Sequence, residues 1–355
     1  MTPFGVRRPV GAGRGSVVRL LLLTLALCLL WALGRSPLTP DERRLYRKVE
    51  AAQSCLWSEL EAKGLSGDVV ADPYRSGFIG VEWSAVTTTL GSLAAKRCAT
   101  DPLWAVRLLR WFDELGLSAG DRIVVLASSS FPGLLYSVLA AAEERGLNIE
   151  LTVSLGSSTW GANRPGALWP ELAAILRRGG FLRFLRTRPL FYTLGGEEEA
   201  GHGMPEEGRA LLSEAARADG VELFQNKTLS DVIERKMRLV EGRTPPTRLV
   251  VSLGGSEGNM GTDPEVLTLP PGLLLPDERI AEKAGNGALG LSLREGYPVL
   301  HLLNLRLLAD AEGIAWDLRR NDFAARGFVV HPLFGLALFV LVLMTHRRWT
   351  WEEGP

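Results

Sequence analysis

Short apolar runs in this chain stop at polar, serine- or glycine-rich turns and alternate with stretches of helical spacing. The run 123–127 ends at Ser128-Ser129-Ser130-Phe131-Pro132-Gly133. Leu134, Leu135, Val138, Leu139 and Ala142 then share one helical face, and a second run, 149–153, opens into the polar stretch 154–163. Two parallel strands joined by a helix place both serine-rich turns at one edge of a sheet. In open α/β folds that edge, at the carboxyl ends of the strands, is where ligands bind. The same order returns at Tyr192-Thr193-Leu194-Gly195-Gly196, at 249–253 before Gly254-Gly255-Ser256-Glu257-Gly258-Asn259, and at Pro298-Val299-Leu300-His301-Leu302-Leu303-Asn304. Strands alternating with helices predict an α/β fold with a mainly parallel, doubly wound sheet.

Around this centre, 36–63 reads as a charged amphipathic helix with Leu45, Val49, Ala52 and Leu56 on one face, either a juxtamembrane stalk or a helix packed on the domain. Residues 78–81 look strand-like and continue into Glu82, Ser84 and Thr87-Thr88-Thr89. The hydroxyls either orient a ligand beside Glu82 or cap a helix beginning near Leu90. Helical spacing follows at 90–98, 102–115, 169–178, 208–218 and 229–240, while the acidic, glycine-rich insert 197–207 reads as a loop. A polar, proline-rich connection leads to the last strand. The basic residues Arg177, Arg178, Arg183, Arg186 and Arg188 form either a solvated or membrane-facing surface or an anion patch.

Both ends change the picture. Residues 17–34 are almost wholly apolar after Arg19 and are preceded by Arg7, Arg8 and Arg14; residues 328–344 form a similar run closed by His346-Arg347-Arg348. Stretches of this length read as transmembrane helices. The expected division is a tail and anchor at 1–34, a juxtamembrane helix at 35–66, an α/β domain at 67–327, a second transmembrane helix at 328–345 and a tail at 346–355. The flanking arginines place both termini inside and the domain outside the cell membrane, although Arg43, Arg44, Arg47 and Lys48 pull the other way.

With 40 basic and 40 acidic side chains among 355 residues, no net field points to nucleic acid. Cys28 lies in the first apolar stretch, and Cys55 and Cys98 have neither CxxC spacing nor histidine neighbours, so no metal site is expected. Pairing of Cys55 with Cys98 would require an extracytoplasmic compartment. Ser128-Ser129-Ser130 lacks the G-x-S-x-G elbow, since Pro132 stands where the elbow needs glycine. No Walker A loop and no G-x-G-x-x-G after a strand occur, so no cofactor is expected. A faint likeness of 117–142 to acyl-adenylating enzymes fails because their Ser/Thr/Gly-Lys loop is missing.

Several turns, taken in order, resemble the poly-gamma-glutamate system protein family. They are Ser76-Gly77-Phe78-Ile79-Gly80-Val81-Glu82 with Thr87-Thr88-Thr89-Leu90-Gly91 and Ala95-Lys96; Gly120-Asp121 with Ser128-Ser129-Ser130-Phe131-Pro132; and Ser154 with Ser157-Ser158-Thr159-Trp160-Gly161-Ala162-Asn163-Arg164-Pro165. Gly195-Gly196, Gly254-Gly255 and 298–304 continue the series, so the likeness covers roughly 71–309. Where the family pattern has glycine before the serine of the Ser-Phe-Pro turn, this chain has Ser129. The resemblance implies a bacterial cell-envelope protein, membrane-associated and encoded with the poly-γ-glutamate (capsule polymer) machinery, whose partners are an amide ligase and its small membrane partner. It supplies no reaction.

Three readings follow. In the first, an accessory protein of poly-γ-glutamate synthesis or export binds the polymer or a glutamyl ligand. The ligand-binding set would be Thr87, Thr88, Thr89, Lys96, Ser129, Ser154, Ser157, Ser158, Trp160, Asn163, Gly254, Gly255 and Asn304. In the second, a hydrolase or transferase cleaves glutamyl amide bonds with Ser128 or Ser130 as nucleophile, His301 as base and Glu82 orienting it. In the third, the protein is a non-catalytic scaffold of the synthase complex.

Overall fold

The computed structural model describes residues 38–318 apart from 184–186, 226, 242 and 243, together with isolated helical positions at 18, 22, 23, 25–27, 29 and 337. The chain divides into two compact units, Pro40–Asn321 and a second formed by Met1–Thr39 with Asp322–Pro355. The larger unit holds strands β1 (Thr87–Thr89), β2 (Arg122–Ser128), β3 (Asn148–Ser154), β4 (Ser157–Ser158), β5 (Asn163–Arg164), β6 (Ala167–Leu168), β7 (Phe191–Thr193), β8 (Thr247–Leu253), β9 (Gly272–Leu274) and β10 (Val299–Leu302). Its helices are α1 (Pro40–Ala62), α2 (Leu93–Cys98), α3 (Leu103–Glu114), α4 (Pro132–Arg145), α5 (Trp169–Arg178), α6 (Glu206–Asp219), α7 (Leu229–Val240), α8 (Glu257–Met260), α9 (Glu278–Lys283), α10 (Ala288–Arg294) and α11 (Leu305–Glu312).

Six strands form the main sheet in the order β7-β3-β2-β8-β10-β9. The first five run parallel, and β9 pairs antiparallel with β10. From β2 the chain winds outward through β3 to β7, then returns to the other side of β2 with β8 and continues to β10. The direction of winding therefore reverses between β2 and β8, and a crevice opens beyond the carboxyl ends of strands at such a point. Every residue of β2 is buried, as expected of a parallel strand covered on both faces. One face carries Ile123, Val125, Leu151, Val153, Val251 and Leu300 against α1, α3, α4, α5 and α11. The other carries Val124, Leu126, Val250 and Val299 against α7 and α10.

Local chemistry explains several boundaries. Pro132 stands in the first turn of α4, where a missing N–H costs nothing, and Gly146 ends the helix at φ 77°. Thr228 and Asp231 form a reciprocal capping box at the start of α7. Helix α1 buries Leu45, Val49, Ala52, Leu56 and Leu60 in the main core and so is part of the compact unit.

The mainly parallel sheet expected from the sequence is present, and residues 272–274, inside the proline-rich connection, add one antiparallel edge. The expectation for the two ends of the chain is corrected. The expected pair of transmembrane helices is not part of the observed fold: among the described residues no helix is long and apolar enough to cross a membrane. Most of the first apolar stretch and all but residue 337 of the second lie outside the described residues. The longest described helix, α1, has 23 residues but is amphipathic and charged along its outer face, so it has the length without the apolarity.

The segment 78–81, expected as a strand, is irregular and largely buried. The Asn163 side chain replaces a strand neighbour there: its Oδ1 accepts from Val81 N at 2.9 Å and its Nδ2 donates to Val81 O at 2.8 Å. A Cβ on Gly80 would stand 2.1 Å from that Oδ1, which is why no side chain fits. Thr87–Thr89 is not a helix cap but a short strand, parallel to Ser157–Ser158.

Candidate functional site

The serine turn after β2 folds back on itself. Ser128 Oγ accepts from Ser130 N at 3.2 Å and donates to Ser130 Oγ at 3.1 Å. Ser158 N also donates to Ser130 Oγ, at 3.1 Å. With both acceptor positions filled, the Ser130 hydroxyl keeps its own proton free to donate, and Ser130 is partly exposed. Ser129 is fully buried; its N donates to Ser154 O at 2.9 Å and its carbonyl accepts from Ala162 N at 3.0 Å, stitching the first turn to the second. Gly254, at φ 81°, closes the wall from β8, and a Cβ there would lie 2.8 Å from Ser128 Cβ. Only glycine meets both demands.

Lys96 reaches this wall from α2. Its Nζ donates to Ser130 O and, at 2.7 Å, to Ser158 Oγ, and it lies 3.8 Å from the centre of the Phe131 ring. Lys96 is 2 % exposed, and burial pushes its pKa down to about 7. All of these partners are neutral. The result is a half-charged amine beneath a rim of hydroxyls.

A second polar cluster lies at the same end of the sheet. Glu199 accepts from Ser154 Oγ at 2.6 Å, from Thr193 Oγ1, from Gly258 N at 3.0 Å and from Lys236 Nζ at 2.9 Å. Lys236 also donates to Asn259 Oδ1 at 2.9 Å, and Asn259 Nδ2 donates to Leu126 O at 2.9 Å. Burial alone would push the Glu199 carboxyl up; the Lys236 charge and the hydroxyl donors outweigh it and hold the carboxyl below its ordinary range. This pair ties the loop after β7 to α7 and α8.

The other expected residues are dispersed. His301 pairs in register with Ser252, and Ser252 with Leu126, so His301 stands two strands from β2, roughly 9–10 Å away, and one row short of Ser128. That row faces α7 and α10, whereas α2, which brings Lys96, joins the layer on the other face. The imidazole Nδ1 has no hydrogen-bond partner, and burial pushes its pKa down to about 4. Glu82 is exposed. Among the described residues, no hydrogen bond joins Glu82 or His301 to Ser128 or Ser130.

Ser157 Oγ donates to Ser158 O at 2.9 Å, and Thr87 Oγ1 accepts from Asn163 Nδ2 at 2.9 Å. Thr89 O accepts from Thr159 N, and Thr88 lies with its methyl group towards Gly156. Trp160 bends the second turn at φ 66°. Gly255 and Asn304 are exposed, and Asn304 sits at φ 51° ahead of α11 without a side-chain cap. A cleft between 77–80 and Gly161, Ala162 and Arg164 holds only about 10 Å³, room for a water rather than a ligand, and neither Lys96 nor the serine hydroxyls line it. Cys55 and Cys98 are free thiols, and burial, the first cause, raises Cys98 to about 12.

Sequence reasoning missed Glu199, Lys236 and Asn259. For Lys236 a signal existed: it occupies the apolar stripe of α7 with Val232, Met237 and Val240. Nothing separates Glu199 from Glu197 and Glu198 in the acidic insert. No protein family, curated protein or solved structure matches the chain.

Proposed function

We propose that this protein is an accessory component of poly-γ-glutamate synthesis or export that binds the polymer, or its glutamyl end, at the wall formed by Ser128–Phe131 and Lys96. The observation that carries the reading is the partly exposed Ser130 hydroxyl, whose oxygen accepts from Ser128 Oγ and Ser158 N, beside a lysine whose hydrogen-bond partners among the described residues are all neutral. Such a rim offers donors and positive charge, the chemistry a carboxylate seeks. The ordered turns shared with the poly-gamma-glutamate system proteins supply the polymer class, and the amide ligase with its small membrane partner are the partners this reading implies.

Titration calorimetry of the full-length chain with poly-γ-glutamate tests it. Binding that weakens with salt is expected, and Ser130→Ala is expected to weaken it roughly ten- to 100-fold, the worth of one hydrogen bond to a charged group. No heat of binding at any ionic strength would remove the ligand from the reading. Deleting the gene and measuring polymer amount and chain length tests the pathway separately.

A further inference from the structure

Within the same wall, one hydroxyl differs from its neighbours. Ser157 and Thr159 are 0 % and 2 % exposed and bond to backbone, whereas Ser158 is 7 % exposed and its Oγ lies 2.7 Å from Lys96 Nζ. A serine hydroxyl within hydrogen-bond reach of a buried, uncompensated amine is the arrangement by which Ser–Lys enzymes activate a nucleophile. We propose that Ser158 and Lys96 form an acyl-transfer dyad acting on amides whose acyl group carries a free carboxylate, with Ser158 Oγ the nucleophile and Lys96 Nζ its base. The substrate class rests on the binding reading above; the dyad rests on the geometry alone.

The step balances within the site. Neutral Lys96 Nζ takes the Ser158 hydroxyl proton as Oγ bonds to the carbonyl carbon. The C–N bond then breaks, and the departing nitrogen takes that proton from the Lys96 ammonium. Water, or an acceptor amine, attacks the resulting ester, giving its proton to Lys96, which returns it to Ser158 as the acyl group leaves. Ser130 stands beside the nucleophile through its bond from Ser158 N, and its hydroxyl is the donor assigned to the developing oxyanion. A pKa near 7 leaves Lys96 about half deprotonated at neutral pH, so both forms needed in the cycle are populated. The nearest charged residues in sequence are engaged elsewhere: Arg97 with Asp317 and the carbonyls of Val70 and Ala71, Asp101 with Leu103 N.

The test uses the full-length chain, a fluorophosphonate probe with its site of attachment mapped by mass spectrometry, and γ-glutamyl-p-nitroanilide as chromogenic amide. Labelling of Ser158 and release of nitroaniline are expected, both rising with pH through about 7. Ser158→Ala, which removes one oxygen, is expected to lower turnover at least about 100-fold. Lys96→Met should abolish labelling, and His301→Gln, remote from the wall, should leave it unchanged. Polymer binding without labelling or turnover overturns the dyad and leaves the binding reading intact. Labelling at Ser130 instead of Ser158 also overturns it. Labelling of Ser158 without turnover of the glutamyl amide overturns the substrate class.

Discussion

His301 shows how a residue's place in a sheet decides its chemistry. On a central strand its imidazole is buried and lacks a partner at Nδ1, so the neutral form is favoured and the folded pKa falls from 6.5 to about 4. The unfolded chain therefore binds more protons than the folded one between these values. The stability this group contributes is complete above about pH 6.5 and is lost as pH falls through about 4. Over that window the loss amounts to roughly 3 kcal/mol. Urea unfolding of His301→Leu at pH 7 and pH 4.5 is expected to show a smaller acid loss than the parent chain; an equal loss would refute the assignment. Glu199, depressed below its ordinary value, adds a separate loss that begins below about pH 4.5.

At the scale of elements, the Glu199–Lys236 pair joins four pieces: β3 through Ser154, β7 through Thr193, α7 through Lys236 and α8 through Gly258 and Asn259. A buried pair of this kind is a modest net stabiliser, but losing one partner strands the other charge away from water. Glu199→Ala is expected to cost about 3–5 kcal/mol by thermal unfolding, and adding Lys236→Met to recover a large part of it. Additive losses in the double variant would show that the two side chains act independently. The wall above has the opposite character, since Lys96 has only neutral partners. One end of the sheet thus carries a neutralised charge that holds structure together and an unneutralised one buried beneath the serine rim.

At the scale of the whole molecule, much of the frame was legible. The runs 123–127, 149–153 and 249–253 fall within β2, β3 and β8; the first is unbroken because β2 is buried on both faces, while Glu150 and Thr152 interrupt the second and Ser252 the third. β9 was invisible: three residues cannot display a period, and its flanking prolines and glycine point to a loop. The serine turns and Lys96 were singled out by residue type and do meet. Glu82 and His301 were grouped with them because they too end apolar segments, yet strand order and the face on which a side chain emerges are properties of the sheet, not of the local sequence. Glu199 was unreadable for a related reason, since its backbone adopts φ 59° in the left-handed region, which sequence does not flag for glutamate.

The position of β2 between β3 and β8 has a practical consequence. One of its neighbours comes from the adjoining stretch of chain, the other from beyond residue 246. A fragment ending between β7 and β8 would present the bare flank of a strand buried along its whole length, an open template for pairing with another copy of itself. Such a fragment is expected to sediment as aggregate, whereas the intact chain stays dispersed; a dispersed, folded fragment would show that the first half suffices. As the ribosome releases the first three of these strands well before the fourth, the nascent chain carries that same uncovered flank until β8 arrives.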